Sequence, residues 1–138
     1  MKRHQQGIAL LEALIAVVIL AIGLLGAIGL QARAYSALSD AGMRAEATIA
    51  ADSLLGTMLV DQTNLALYAL PLGATPNPRL LPWLNQTKAA IPGAAVEIAV
   101  TPLPASTNTE VDIKISWTRK NGGPTNQHMV TSYIAPST

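Results

Sequence analysis

The stretch GIALLEALIAVVILAIGLLGAIGL, residues 7–30, decides how the rest of the chain is read. From Ile8 to Leu30 it holds 23 residues without proline and a single charged side chain, Glu12. An α-helix rises 1.5 Å per residue, so the run spans roughly 35 Å against a hydrocarbon core of about 30 Å. It is long enough to cross a bilayer. Lys2, Arg3 and His4 precede it, and the positive-inside rule keeps such an end in the cytoplasm and sends the chain beyond Leu30 outward. In a Gram-negative cell, outward is the periplasm.

A cleaved secretory signal is one alternative, because Ala32-Arg33-Ala34 offers a small-x-small cleavage pattern. The apolar region of such a signal is about 7–15 residues, shorter than this one. A plain membrane anchor is another. Neither accounts for Glu12, since an acidic group in a spanning segment is unfavourable away from the interface unless it finds a partner. A cut between Gly7 and Ile8 supplies that partner. The new α-amino group of Ile8 would lie one helical turn from Glu12, on the same face. At a helix N-terminus the dipole favours the carboxylate and opposes the ammonium, so the cation gains most from the pairing. In a bundle, Glu12 of one subunit can meet the amine of another. At roughly 4 Å and an effective dielectric of about 20 the attraction is about 4 kcal/mol before desolvation is subtracted, enough to set an axial register.

A basic leader, a glycine, then Ile8-Ala9-Leu10-Leu11-Glu12 and a long apolar run resemble the class III signal of type IV pilins and type II secretion pseudopilins. The resemblance covers residues 1–34. It implies a prepilin peptidase that cuts after Gly7 and N-methylates Ile8, and a role in subunit assembly for Glu12. Ile8 stands where phenylalanine is commonest in that family, although other apolar residues also occur there. The continuation from Val17 to Gly26, followed by Gly29-Leu30-Gln31, is most similar to PilV-type minor pilins. A type II secretion minor pseudopilin of the GspI type shares the same N-terminal grammar and is the alternative.

The resemblance implies an α+β, pilin-like fold, in which a long N-terminal helix packs on a three- to four-stranded antiparallel sheet. Residues 1–7 would be a cytoplasmic leader, 8–30 the transmembrane half of the helix, 31–61 its exposed half, and 62–138 a connector plus the sheet. Implied partners are prepilin peptidase, other major and minor pilins, the inner-membrane assembly machinery, a tip adhesin, and membrane lipid before assembly. The expected path runs from the inner membrane to a pilus at the cell surface, and no cofactor is implied.

Within the apolar run, Gly23, Gly26 and Gly29 recur at a spacing of three. Each costs about 1 kcal/mol of helix propensity relative to alanine. Two readings stand side by side: close helix packing through small residues, or a place where the helix unwinds on leaving the bilayer.

From Gln31 to about Asp61 there is no proline and much alanine, leucine and methionine, so the helix should continue. At about 100° per residue, Tyr35, Leu38, Ala41, Gly42, Ala45, Ile49, Leu59 and Val60 share one side, with Asp40, Arg44 and Glu46 off it. That side is expected to face the sheet. Residues 71–93 carry Pro71, Pro76, Pro78, Pro82 and Pro92, which exclude a regular helix apart from a turn around Trp83 to Ala90. Trp83, with Leu80, Leu81 and Leu84, is expected to pin this connector to the core.

Beyond it, Val96, Ile98 and Val100 alternate with polar or small residues, and Val111, Ile113, Ile115 and Trp117 do so more clearly. A third run, His128 to Ala135, alternates without showing which face is buried. The connections Thr101–Thr109 and Arg119–Asn126, the latter with Asn121-Gly122-Gly123-Pro124, suit a meander.

Composition removes several function classes. A length of 138 residues allows one ordinary domain, and 50% hydrophobic against 12% charged residues is too apolar for disorder. A net charge of +1 gives no basic field, so nucleic acid is not an expected partner. Without cysteine there is no disulfide, thiolate metal site or cysteine nucleophile. His4 and His128 are too distant in sequence to suggest a zinc site. Ser132, His128 and Asp112 could serve as nucleophile, base and orienter, but no glycine elbow or oxyanion loop accompanies them. Glu110 and Asp112 share a strand edge with Lys114, the ordinary pattern of a solvated face. Gly122-Gly123 lacks the helix and the lysine of a phosphate loop. A structural role is left, and the resemblance implies that of a minor pilin that helps to initiate a type IV pilus.

Overall fold

The computed structural model describes residues 6–104, 106–118 and 123–136. The leader residues Lys2, Arg3 and His4, and Arg119 to Gly122 of the last connection, lie outside the described residues. The chain divides into two units, one ending at Asp40 and one beginning at Ala41, and the helix α1, Gln6–Val60, contributes to both.

The first unit is helical from Gln6 onward, as the run of alanine, leucine and isoleucine without proline requires. Nothing in it covers the apolar side chains. Leu14 and Leu25 are 64% and 70% exposed, and every residue from Ile8 to Tyr35 is exposed.

In the second unit, the end of α1 packs on a three-stranded antiparallel sheet of order β1-β2-β3, with β1 Ala95–Pro102, β2 Thr109–Thr118 and β3 Thr125–Ile134. The architecture is α+β and pilin-like. Ile98 pairs with Ile113 and Ile113 with Val130, so the alternating apolar residues of all three strands point to one face. That face supplies Val96, Ile98, Val111, Ile113, Ile115, Trp117 and Ile134 to a core completed by Ala47, Ala51, Leu54 and Met58 of α1. It also settles β3, whose His128, Val130, Ser132 and Ile134 lie on the helix side, opposite Ile115, Ile113, Val111 and Thr109.

The side of α1 expected to meet the sheet does not do so. Tyr35, Leu38, Ile49, Leu59 and Val60 are all exposed, and the buried stripe is Ala47, Ala51, Leu54 and Met58, at i, i+4, i+7 and i+11. Two features of the sequence mislead here. Asp40 and Arg44 precede Ala47 and Ala51 by one heptad, so they share the angular position of the buried stripe instead of marking its opposite side, although Arg44 itself is exposed. Large apolar residues also outweigh alanine by eye, yet the sheet brings Ile113, Ile115 and Trp117 to this interface, and close packing against them calls for small residues on the helix.

The helix ends at Val60, and the Asp61 N–H bonds back to the carbonyls of Thr57 and Met58 at 3.2 Å each. A short 3-10 helix, Gln62–Tyr68, comes next. The proline-rich connector holds more structure than a turn, because α2, Leu81–Ala90, is a ten-residue helix with a proline in its first turn. There proline removes only an N–H that has no helical partner. Trp83 is half-buried and donates its Nε1 hydrogen to the Ala50 carbonyl at 2.8 Å, while Leu80 and Leu84 are buried and Leu81 is not. Ile91-Pro92-Gly93-Ala94 then reverses the chain into β1. Gly93 has φ +77° and the Ala94 N–H bonds the Ile91 carbonyl at 3.1 Å, a type II turn in which glycine relieves the strain. Leu70 forms an isolated antiparallel bridge with Ile98 on the outer edge of β1.

Candidate processing and assembly site

Gly7 and Ile8 lie in the first turns of α1, and Glu12 comes four residues after Ile8 on the same face. Ile8 is 70% exposed, and Glu12 is exposed as well. Among the described residues Glu12 forms no ion pair or side-chain hydrogen bond. In the uncut chain the nitrogen of Ile8 is an amide in the peptide bond from Gly7, so the ammonium that would pair with Glu12 exists only after cleavage. The chemistry available is therefore that of a glycine-to-isoleucine bond with an exposed isoleucine, and, among the described residues, an unpaired carboxylate one turn later.

Downstream of Glu12 the helix passes Gly23, Gly26 and Gly29 without a break, and a Cβ built on any of the three meets nothing within 4 Å. The glycines therefore form an unoccupied narrow face on this unit. By length and composition, α1 can cross a membrane, and its most apolar window is unburied.

The three residues of the nucleophile, base and orienter reading are not brought together. His128 and Ser132 lie on the helix side of β3, whereas Asp112 lies on the opposite face of the sheet, where its Oδ1 accepts a hydrogen bond from Thr131 at 2.5 Å. Across that outer face Glu97 pairs with Lys114 at 3.5 Å, and the charge of Glu110 raises the pKa of the Tyr133 phenol. Among the described residues no cluster of three or more His, Asp or Glu side chains is placed to hold a metal.

One polar cluster has no signature in the sequence. Asp61 accepts hydrogen bonds from Asn64 at 2.7 Å, Tyr68 at 2.9 Å and Arg79 at 2.7 Å, joining the end of α1 to the 3-10 helix and the connector. The hydrogen bond from Asn64, then that from Tyr68, hold the Asp61 carboxyl below the usual carboxylate range against some desolvation, with Arg79 adding its charge. Burial, and then the bond to Asp61, push the Tyr68 phenol up. Asn64 is within local reach of Asp61, but nothing in sequence links Arg79 to it across 18 residues. The cluster ties these elements together.

Residues 2–28 match the family model of the prokaryotic N-terminal methylation motif, a segment well under half of the chain. It contains Gly7, Ile8, Glu12 and all but the last glycine of the apolar run. Comparison with curated proteins and with solved structures finds no significant match.

Proposed function

We propose that this chain is a minor pilin of a type IV pilus, cut between Gly7 and Ile8 by prepilin peptidase, N-methylated on Ile8, and incorporated into the filament, where it helps to initiate assembly. The motif match supports the coarser statement, a type IV pilin-like protein processed at its N-terminus and assembled with other pilins. The observation that carries the reading is a coincidence within one helix. The methylation motif overlies an apolar segment whose side chains are exposed all round, joined to an α+β unit with its own core.

The physical sequence of events is set by those parts. As a precursor, the segment 8–30 is solvated by inner-membrane lipid, with the leader 1–7 in the cytoplasm and the remainder periplasmic. Cleavage removes Lys2 and Arg3, the charges that hold the N-terminus at the cytoplasmic face, and creates the ammonium that Glu12 lacks. Transfer into a bundle of similar helices exchanges one dry environment for another, so the apolar side chains need not meet water during extraction. The Ile8 ammonium and Glu12 of neighbouring subunits then set the register. The globular unit selects neighbours, including other minor pilins and a tip adhesin, through its loops and sheet edge.

Intact mass of the subunit recovered from sheared pili tests this. Loss of residues 1–7 with gain of one methyl group is expected. A subunit that keeps its leader refutes the proposal, and recovery of the processed form only from a secretion pseudopilus transfers it to the GspI-like alternative.

A further inference from the structure

Leu70 covers the outer edge of β1 at one position, and the register shows where the cover stops. The Leu70 N–H and carbonyl both bond Ile98, at 2.9 Å each, so the Ile98 backbone groups point away from β2. Backbone direction alternates along a strand, and the N–H and carbonyl of Val96 therefore point outward as well. Pairing continued by two residues would set Leu72 against Val96. Instead the chain leaves the sheet. Residues 71–74 form a turn closed by the Ala74 N–H on the Pro71 carbonyl at 3.0 Å, with Gly73 at φ +77° as a type II turn requires. Among the described residues, nothing bonds the outward N–H and carbonyl of Val96.

The departure leaves a crevice of about 380 Å³ between the connector, α2 and the start of β1. Pockets that hold small ligands run from about 300 to 1,000 Å³. The lining is apolar: Leu70, Leu84 and Val96 belong to the core, Pro76 is half-buried and Leu72 is exposed. Lys88 is the one charged residue that lines it, a turn beyond Leu84 on the same face of α2. Among the described residues from Arg79 onward, Arg79 pairs with Asp61 and Lys114 with Glu97, but Lys88 has no carboxylate partner. An apolar crevice, a vacated strand-pairing position and an unpaired cation therefore meet in one place.

We propose that this crevice captures the C-terminal end of another polypeptide. Its terminal carboxylate lies on the Lys88 ammonium, its main-chain donor and acceptor pair with those of Val96, and its apolar last side chain fills the space lined by Leu70, Leu84 and Pro76. Each part of the crevice selects one part of the ligand. The lone cation calls for one negative charge. The Val96 backbone calls for a peptide group, the partner that offers a donor and an acceptor at strand spacing. The apolar walls call for an apolar side chain. An inorganic anion would leave the walls bare, and an alkyl carboxylate would leave the Val96 groups unmatched as they lose water. A chain terminus supplies all three within one residue. The inference concerns the globular unit alone and is independent of processing at Gly7.

The probe is an acetylated tetrapeptide of three alanines and a C-terminal leucine with a free carboxylate, added to the full chain in detergent micelles. Its C-terminal amide and hexanoate, a carboxylate with an apolar tail and no peptide group, are the comparisons. Exchange of the Val96 amide is the readout. It should be fast in the free chain and slow by about tenfold at about 1 mM of the acid peptide, as a Kd near 0.1 mM gives. The amide form and hexanoate should each bind at least about tenfold more weakly, the usual scale for losing one charge-assisted contact. K88M, at an exposed position, should melt as the parent does and bind acid and amide forms alike, while K88R should keep the preference for the acid. A Val96 amide that is already slow in the free chain, or that no form of the peptide protects, overturns the proposal. So does a preference for the acid that survives in K88M. Equal protection by hexanoate overturns the choice of a polypeptide terminus.

Discussion

In α1, Leu14 and Leu24 leave more than half of their surface exposed, whereas Leu54 and Met58, on the same helix, are completely covered. The residue types are alike and the environments are opposite. Residues 41–60 have their apolar partner within the chain, a sheet that accepts one stripe and leaves Ile49 and Val60 outside. Residues 8–30 have none, and a helix apolar around its whole circumference is soluble only where the surroundings are apolar too. The first region therefore takes its stability from what it is dissolved in, and the second from what it folds against. In the proposed function, processing and assembly fall to the first and recognition to the second.

Substitution of Gly7 by valine gives the largest effect expected from this contrast. A β-branched side chain at the cleavage position should leave unprocessed precursor in the membrane, read as retention of residues 1–7 by mass, while the globular unit stays folded. Normal processing would reduce the first region to a plain anchor. Next in size is a paired test of the second region. L54A should destabilise the globular unit by about 2–5 kcal/mol, because it opens a cavity in a packed core. I49A, on the exposed side, should cost under about 0.5 kcal/mol. Both are measured by tryptophan fluorescence during denaturation in micelles, since Trp83 and Trp117 both report from this unit. Equal losses would mean that the buried stripe is wrongly assigned.

E12A addresses the join between membrane and filament. Cleavage should proceed, and incorporation into sheared pili should fall by about tenfold, the equivalent of about 1.4 kcal/mol left from the ion pair after desolvation. Unaltered incorporation would free the carboxylate from any role in register. The smallest effect lies at the clasp that closes α1. The Asp61 carboxyl is lowered in the folded protein, so its contribution is present above the unfolded value near pH 4 and is lost as pH falls through the folded one. The Tyr68 phenol is raised, so its contribution is present below about pH 10 and is lost as pH rises through the folded value. D61N should flatten the acid side of the stability profile measured by the same fluorescence, and an unchanged acid limb would remove Asp61 from it.

The candidate site was almost wholly legible in sequence because it is local. Gly7, Ile8 and Glu12 lie within two helical turns, and helix geometry alone puts the last two on one face. The strands were legible for the same reason, since Val111, Ile113, Ile115 and Trp117 alternate with period two whatever they pack against. The full length of α2 was hidden because proline is a breaker in general and harmless in a first turn. The clasp of Asp61 with Arg79 was hidden because no local rule reaches so far along the chain.

By itself the sequence determined a long apolar helix, a match to the N-terminal methylation motif and an alternating sheet, properties that depend on spacing along one element. Tertiary structure decided which stripe of α1 the sheet covers, which face of β3 turns inward, and that Leu70 meets the outer edge of β1 at Ile98. Those choices depend on the relative sizes of side chains meeting across an interface, and on which backbone groups find partners from distant segments. Neither quantity exists until the chain has folded back on itself.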